Sequence, residues 1–224
     1  YNHNTAILYE DIGMFTSDDA IGADATDLFN YLTGYSAKQD YRKIMVAPFL
    51  LREKFDHLIK REIKHHKKHG DGRIILKMNA LVDAGMIRLL YRASQAGVKI
   101  DLIVRGICSL RPGVKGLSEN IRVISVVGRF LEHSRIYYFH NHGQEIIYMG
   151  SADLMPRNLN TRVEVLFPVE DPDLIRYLRD QVLEVYLRED IKAWRMAPDG
   201  HYVRTPPESG EQFLDVQEWL LDQR

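Results

Sequence analysis

Arg73-Ile74-Ile75-Leu76-Lys77-Met78 and Lys99-Ile100-Asp101-Leu102-Ile103-Val104 are two six-residue, mostly apolar runs. Between them, Asp83 supplies a capping carboxylate, Met86, Leu90 and Ala93 fall on one helical face, and Gly97 ends the helix. Strand, helix, strand at this spacing is a parallel crossover unit, and it sets the fold class. Working outward, Lys43–Pro48 reads as a buried strand. Leu51, Phe55, Leu58, Ile59 and Ile63 follow at helical spacing, with basic residues in the last turn before Gly70. On the other side, Ile121–Val127 is a fourth strand, after a glycine-rich loop spanning 105–118. Arg135–Phe139 and Glu145–Met149 flank His140-Asn141-His142-Gly143 as a hairpin. Arg162–Pro168 is another strand, and Asp171-Pro172 opens a helix striped by Ile175, Leu178, Val182 and Val185. The order predicts an α/β layered domain whose sheet is parallel first and mixed later, flanked by helices.

The flanks differ in character. Asp18 or Asp19 caps a short helix through Ala25–Leu32 that Gly34 stops, and 36–40 is polar and linker-like. A domain boundary is therefore placed near residue 40, giving units 1–40, 41–190 and a C-terminal arm, 191–224. The arm is expected to be irregular, ending in a short helix near Glu211–Leu221. The opening, Tyr1 to Ala6, reads like the middle of a loop, so the sequence is expected to be cut from something longer.

Composition narrows the class. The chain has 224 residues, 45% hydrophobic and 27% charged, enough for a substantial core and unlike disordered or fibrous sequences. One cysteine, Cys108, excludes a disulfide framework within the chain and suits a reducing compartment. No apolar run approaches the roughly 18 residues of a membrane span. A soluble, cytosolic protein is expected. The net charge of −1 conceals segregation, because residues 41–140 hold twenty lysines and arginines against eight acidic residues. That basic middle fits a polyanion, or else a solvated helix face, since Arg61 to Lys68 alone supplies four cations.

Walker, dinucleotide and nucleophile-elbow motifs are absent. His65, His66 and His69 are read as solvent-facing, without carboxylates aimed the same way. The candidate chemistry lies in Glu132-His133-Ser134-Arg135 and Gly150-Ser151-Ala152-Asp153, with Arg157, Asn158 and Arg162 close behind. His133 and Arg135 share a strand face, and the hairpin returns Gly150-Ser151 to the same sheet end. An imidazole, a guanidinium and a hydroxyl suit phosphoryl chemistry: the imidazole moves a proton or the phosphoryl group and the guanidinium forks onto oxygens. His-x-Arg alone is weak, and a structural histidine is its ordinary explanation. The Gly-Ser-x-Asp beginning seventeen residues later strengthens the functional reading.

This pair of motifs resembles one half of the phospholipase D superfamily pattern, with Arg135 at the lysine position, His140 at the aspartate and Asp153 at the asparagine. Longer blocks resemble the long, phosphohistidine-forming bacterial polyphosphate kinases. They include Tyr1 to Gly13, Leu28-Phe29-Asn30-Tyr31-Leu32-Thr33-Gly34, Val46-Ala47-Pro48-Phe49, Lys77-Met78-Asn79, Ile103 to Cys108, Leu110-Arg111-Pro112-Gly113 and Ile124 to Tyr137. The resemblance runs from Tyr1 to about Asp190.

It implies a C-terminal portion of a kinase that reversibly moves the terminal phosphoryl of ATP to polyphosphate, with magnesium. The last stretch of one phospholipase D-like domain and the whole of a second would lie here. The phosphorylated histidine and the magnesium-binding region would lie upstream of Tyr1, so no metal residue is named. Nucleotide-binding positions fall on Tyr9, Arg105 and His133, with His133 as acid/base or phosphate-stabilising partner. Arg111, Arg135, Ser151, Arg157 and Arg162 are phosphate candidates. Tyr9 is otherwise a packing residue, and Arg105 a surface ion pair. Expected partners are ATP and ADP, polyphosphate, the N-terminal remainder of the polypeptide and further copies of it, with no nucleic acid. The location is cytoplasmic or peripheral to the inner membrane. Two other readings stay open: half of a phospholipase D-type phosphodiesterase, or a silent polyanion-binding or oligomerisation domain.

Overall fold

Strands β3 (Arg73–Met78) and β4 (Lys99–Val104) run parallel, in register from Arg73 opposite Lys99 to Met78 opposite Val104. The helix Ala84–Gln95 brings the chain back between them, and the Asp83 carboxylate accepts the Met86 N–H at 2.9 Å as its N-cap. Arg52 holds that carboxylate from the neighbouring helix Leu51–His69, Nη2 to Oδ2 2.6 Å. The computed structural model describes residues 2–3, 7–188, 192–204 and 214–223.

Around this unit the sheet grows both ways. On one side lies β5 (Ile121–Val126), parallel to β4. On the other, β7 (Ile136–Phe139), β8 (Ile146–Gly150), β9 (Glu164–Val169) and β2 (Met45–Ala47) follow, antiparallel from neighbour to neighbour. The 9-stranded sheet has the order β11-β10-β5-β4-β3-β7-β8-β9-β2. Its outer two strands, β10 (Ala193–Met196) and β11 (Tyr202–Arg204), come from the tail. This corrects the expectation of an irregular arm: β10 pairs antiparallel with β5, whose edge would otherwise carry unpaired backbone groups. The final helix is Val216–Asp222; Glu211, where it was expected to begin, lies outside the described residues.

The alternation of strand side chains builds a core on each face of the sheet, and a smaller cluster of Leu28, Tyr41, Ile44 and Val46 forms where the N-terminal helix meets β2. Ile74, Leu76, Ile100, Leu102 and Val104 face the helices Leu51–His69 and Ala84–Gln95, together with Phe55 and Leu90. Ile75, Ile103, Ile136 and Tyr138 face the other way, onto Leu178, Val182, Val185 and Tyr186. Those last four sit on a helix that starts at Pro172–Arg176, widens to π-helical geometry over Tyr177–Leu183 and ends as Glu184–Leu187. The expected layered α/β fold, a mixed sheet between helices, is what forms. Lys77 shares the Ile75 face and enters the second core with 2% of its side chain exposed.

The N-terminal helix is Asp19–Leu32, capped by Asp18 and followed by Gly34 at φ 80°. Asp24 on this helix accepts the backbone N–H groups of Arg42, Lys43 and Ile44, which ties residues 1–40 to the entry of β2. A second, two-stranded parallel pair joins β1 (Tyr9–Glu10) to β6 (Leu131–Glu132).

Candidate active site

The carboxyl ends of β3, β4 and β5 share one edge with the start of β7 and the end of β8, because Lys77 pairs with Ile136 and Ile136 with Met149. Open α/β sheets bind ligands outside that edge. Parallel pairing of Tyr9 with Leu131 and Glu10 with Glu132 places residues 9–11 against the segment leading into His133. The Tyr9 and His133 rings meet edge-on, centroids 5.1 Å apart. His133 Nδ1 lies 3.0 Å from an Asp11 oxygen, and Arg135 Nη1 lies 3.1 Å from Nε2. A carboxylate only accepts, so the Asp11 contact favours hydrogen on Nδ1, while Arg135 Nη1, also 3.3 Å from Nδ1, sits over the ring and leaves the in-plane side of Nε2 open.

Beneath the histidine lies a buried polar network. Lys77 Nζ reaches Glu132 Oε2 at 2.9 Å, Ser134 Oγ at 2.7 Å and Glu10 Oε2 at 3.5 Å, and sits 4.8 Å from the centroid of the Tyr186 ring. Tyr186 donates to Glu132 Oε2 at 2.5 Å, and Gln217 Nε2 donates to Glu132 Oε1 at 2.7 Å. Burial alone would raise the Glu132 carboxyl. Lys77 and the hydrogen bonds from Tyr186 and Gln217 outweigh it and hold Glu132 below the usual carboxylate range. Glu10 goes the other way: burial and the neighbouring Glu132 lift it above the ordinary value despite Lys77. Of the two carboxyls, Glu132 is the one whose charged form the network favours.

Arg135 also pairs with Asp153, Nε to Oδ1 and Nη2 to Oδ2, both at 3.3 Å. Asp153 Oδ1 accepts the Asn79 N–H at 2.8 Å. With its amide oriented to satisfy both ends, Asn79 donates to the Glu132 carbonyl at 2.8 Å and accepts from Arg135. Arg105 Nη1 donates to the same carbonyl at 2.7 Å. Arg105, Tyr9 and the 126–132 segment line an open cleft of about 550 Å³. His133, Tyr9, Arg105 and Arg135 are therefore brought together.

The other sequence candidates divide. Ser151 Oγ donates to Glu164 at 2.5 Å and accepts the Val165 N–H, so its hydroxyl serves the β8–β9 connection. Arg157, on the short helix Pro156–Asn160, and Arg162, just after it, lie at the same sheet edge, exposed, with no guanidinium partner among the described residues. Arg111 is elsewhere. Its Nε donates to the Pro198 carbonyl and its backbone N–H to the Tyr91 hydroxyl, and the adjoining Pro112 and Gly113 lie against Ile121, at the start of β5. His140 is also remote, at the far end of β7, 3.9 Å from Asp71.

The histidine row needs correcting. His65 and His66 are half-buried; His66 Nδ1 accepts the Gly72 N–H, and His69 stacks on His142 at 3.6 Å. A carboxylate does point there, Asp71, 2.6 Å from His142 Nδ1. No group of three or more His, Cys, Asp or Glu among the described residues is disposed to hold a metal ion. At the active edge Glu132 is taken up by Lys77, Tyr186 and Gln217, and Asp153 by Arg135 and Asn79. That donor set does not fit magnesium.

No sequence motif marks Glu10, Asp11, Lys77, Asn79 or Gln217 as part of this site. For Lys77 a signal exists: a lysine inside an apolar strand is buried only when paired. For Glu10 and Gln217 the partners lie 122 and 85 residues away from Glu132, and no local pattern marks them.

Residues 44–217 match the family model described as polyphosphate kinase C-terminal domain 2, and residues 1–38 match polyphosphate kinase C-terminal domain 1. The chain belongs to the polyphosphate kinase family. The polyphosphate kinase of Synechocystis sp. is 58% identical over 97% of this chain and 30% of its own. That of Chlorobaculum tepidum is 53% identical over 90% of this chain and 29% of its own. The crystal structure of polyphosphate kinase from Porphyromonas gingivalis superposes with a TM-score of 0.88 at 41% identity, over 93% of this chain and 32% of that one. The chain thus spans about a third of the length of these polyphosphate kinases. No helix among its described residues is long and apolar enough to cross a membrane.

Proposed function

We propose that the whole protein reversibly transfers the terminal phosphoryl group of ATP to polyphosphate, and that this chain carries the nucleotide-facing part of the site. One observation carries the reading: His133 stands between the Tyr9 ring, the Asp11 carboxylate and the Arg135 guanidinium, at the sheet edge of a polyphosphate kinase domain.

In this reading the bond between the γ-phosphorus and the β–γ bridging oxygen breaks, and ADP leaves with the electron pair. The phosphoryl group passes to a histidine in the part of its relatives that this chain does not span, then to the terminal oxygen of polyphosphate. His133, with Nδ1–H held by Asp11, works through Nε2: as the imidazolium it donates to a phosphate oxygen or gives its proton to the leaving oxygen, and as the neutral ring it takes a proton back. Arg135 and Arg105 neutralise the phosphate oxygens and Tyr9 lies against the nucleotide. Phosphoryl transfer rests on positioning and charge neutralisation, which such a cluster provides. Arg157 and Arg162, exposed at the same edge, lie on the path of a polyanionic product. Magnesium is held by the part of the protein outside this chain, and the location is cytoplasmic.

The test uses γ-labelled ATP with the full-length protein. Label should appear in long-chain, acid-insoluble polyphosphate, and a phospholipid or DNA substrate should release neither headgroup nor nucleotide. Cleavage of either diester without polyphosphate formation would overturn the reading in favour of a phosphodiesterase.

A further inference from the structure

Gln217 lies in the final helix, 84 residues after His133, yet its side chain is 3% exposed and bonded at both ends to the segment leading into that histidine. Its Oε1 accepts the Phe130 N–H at 2.9 Å, and its Nε2 donates to the Phe130 carbonyl at 2.9 Å and to Glu132 Oε1 at 2.7 Å. An amide that takes both backbone groups of one residue does what a neighbouring strand would do. It stands beside β6, whose Leu131 N–H donates to the Leu8 carbonyl and which holds Tyr9 in register.

The loop is shaped to admit it. A Cβ on Gly128 would fall 2.4 Å from Gln217 Oε1 and 2.8 Å from its Cδ, closer than real contacts permit. Only a glycine leaves the amide its place.

We infer that Gln217 is a positioning residue: through Phe130 and Glu132 the C-terminal helix sets where His133 stands relative to Tyr9 and Arg105. The turnover consequence rests on the proposed function, while the positioning itself does not. Glu132 is the shared node, since its carbonyl also receives Arg105 and its carboxylate Lys77. A misplacement of about 1 Å by a mutation remote from the chemistry can cost about 10²-fold in rate, so a smaller displacement of His133 corresponds to about tenfold.

The experiment compares Gln217→Ala, Gly128→Ala, the double variant and Gln217→Glu in the full-length protein. Each single variant should lower kcat/KM for polyphosphate synthesis by about tenfold, and the double variant should fall no further, because both remove one clamp. Gln217→Glu should lose activity at neutral pH, where the new carboxylate faces Glu132, and regain part of it in acid, where a protonated carboxyl again donates. Lys192 and Asp215 are ion-paired beside it, Lys77 and Tyr186 hold Glu132 from its other side, and Tyr9, Glu10, Asp11 and Tyr177 line the cavity that Gln217 also lines; all are retained in the variant. The His133 ring signal in a histidine-labelled sample should shift in Gln217→Ala, whatever the turnover. Wild-type activity with unaffected variants, losses that multiply, or an unmoved ring signal would overturn the inference. A wild type that makes no polyphosphate while the ring signal shifts would sink the proposed function and leave the positioning role standing.

Discussion

Lys77 illustrates how one residue can cost stability and organise a site at once. Its ammonium is buried on the Ile75 face of β3, and Glu132, Glu10 and Ser134 together replace the lost water. Lys77→Met would leave Glu132 as a buried charge with neutral donors only, and the loss should be about 3–5 kcal/mol. Combining it with Glu132→Gln should recover much of that loss, because the more deeply buried of the two carboxylates is removed and only Glu10 is left without the ammonium. Urea denaturation of the single and double variants checks this. Equal losses in both would show that Lys77 acts through packing alone.

At the scale of elements, the crossover helix Ala84–Gln95 and the β8–β9 pair are the testable pieces. Asp83 caps the helix while Arg52 grips its carboxylate, and that hydrogen bond, working against partial burial, depresses the carboxyl below its ordinary 3.8. A carboxyl depressed in the folded state stabilises fully above its unfolded pKa, and the contribution fades as pH falls through the lower folded value. Asp83→Ala should therefore cost about 1–2 kcal/mol at neutral pH, and its stability should converge on the wild type in strong acid. Thermal melts between neutral pH and pH 2 measure both. Gly150 is the second point. Opposite Leu166, a Cβ there would lie 1.9 Å from the Val165 carbonyl oxygen, so the backbones of β8 and β9 approach only because the side chain is hydrogen. Gly150→Ala should destabilise by at least about 1–3 kcal/mol, read from the same melts, and loosen the turn that carries Asp153. These elements were legible because their signals are local: capping residues, apolar period and glycine placement. The tail strands were not, since Ala193–Met196 is a short, half-exposed stretch whose strand character comes from the edge of β5.

Across the whole molecule, the site is an assembly of distant segments. Residues 9–11, 77–79, 105, 130–135, 153 and 217 meet at one sheet edge, and only 132–135 and 153 lay in a motif. The motif located His133 and Arg135, and the resemblance to polyphosphate kinases pointed to Tyr9 and Arg105. Arg111 could not be placed from sequence, because a strand-end loop turns to either side and this one folds back toward Pro198. The tail closes both the sheet and the second core, where Val216 is fully buried. Deleting residues 192–224 should expose the β5 edge and that core together. The truncated chain should then lose cooperative melting and associate in size-exclusion chromatography. An unchanged monomeric profile and melt would show that the tail is dispensable.

The most direct measurement is polyphosphate synthesis from ATP by full-length His133→Ala beside the wild type. The account predicts a fall of about 10²–10⁴-fold with folding intact, the range for loss of a positioned acid–base group. Turnover near the wild-type rate would contradict it, and would make the imidazole between Asp11 and Arg135 a structural feature only.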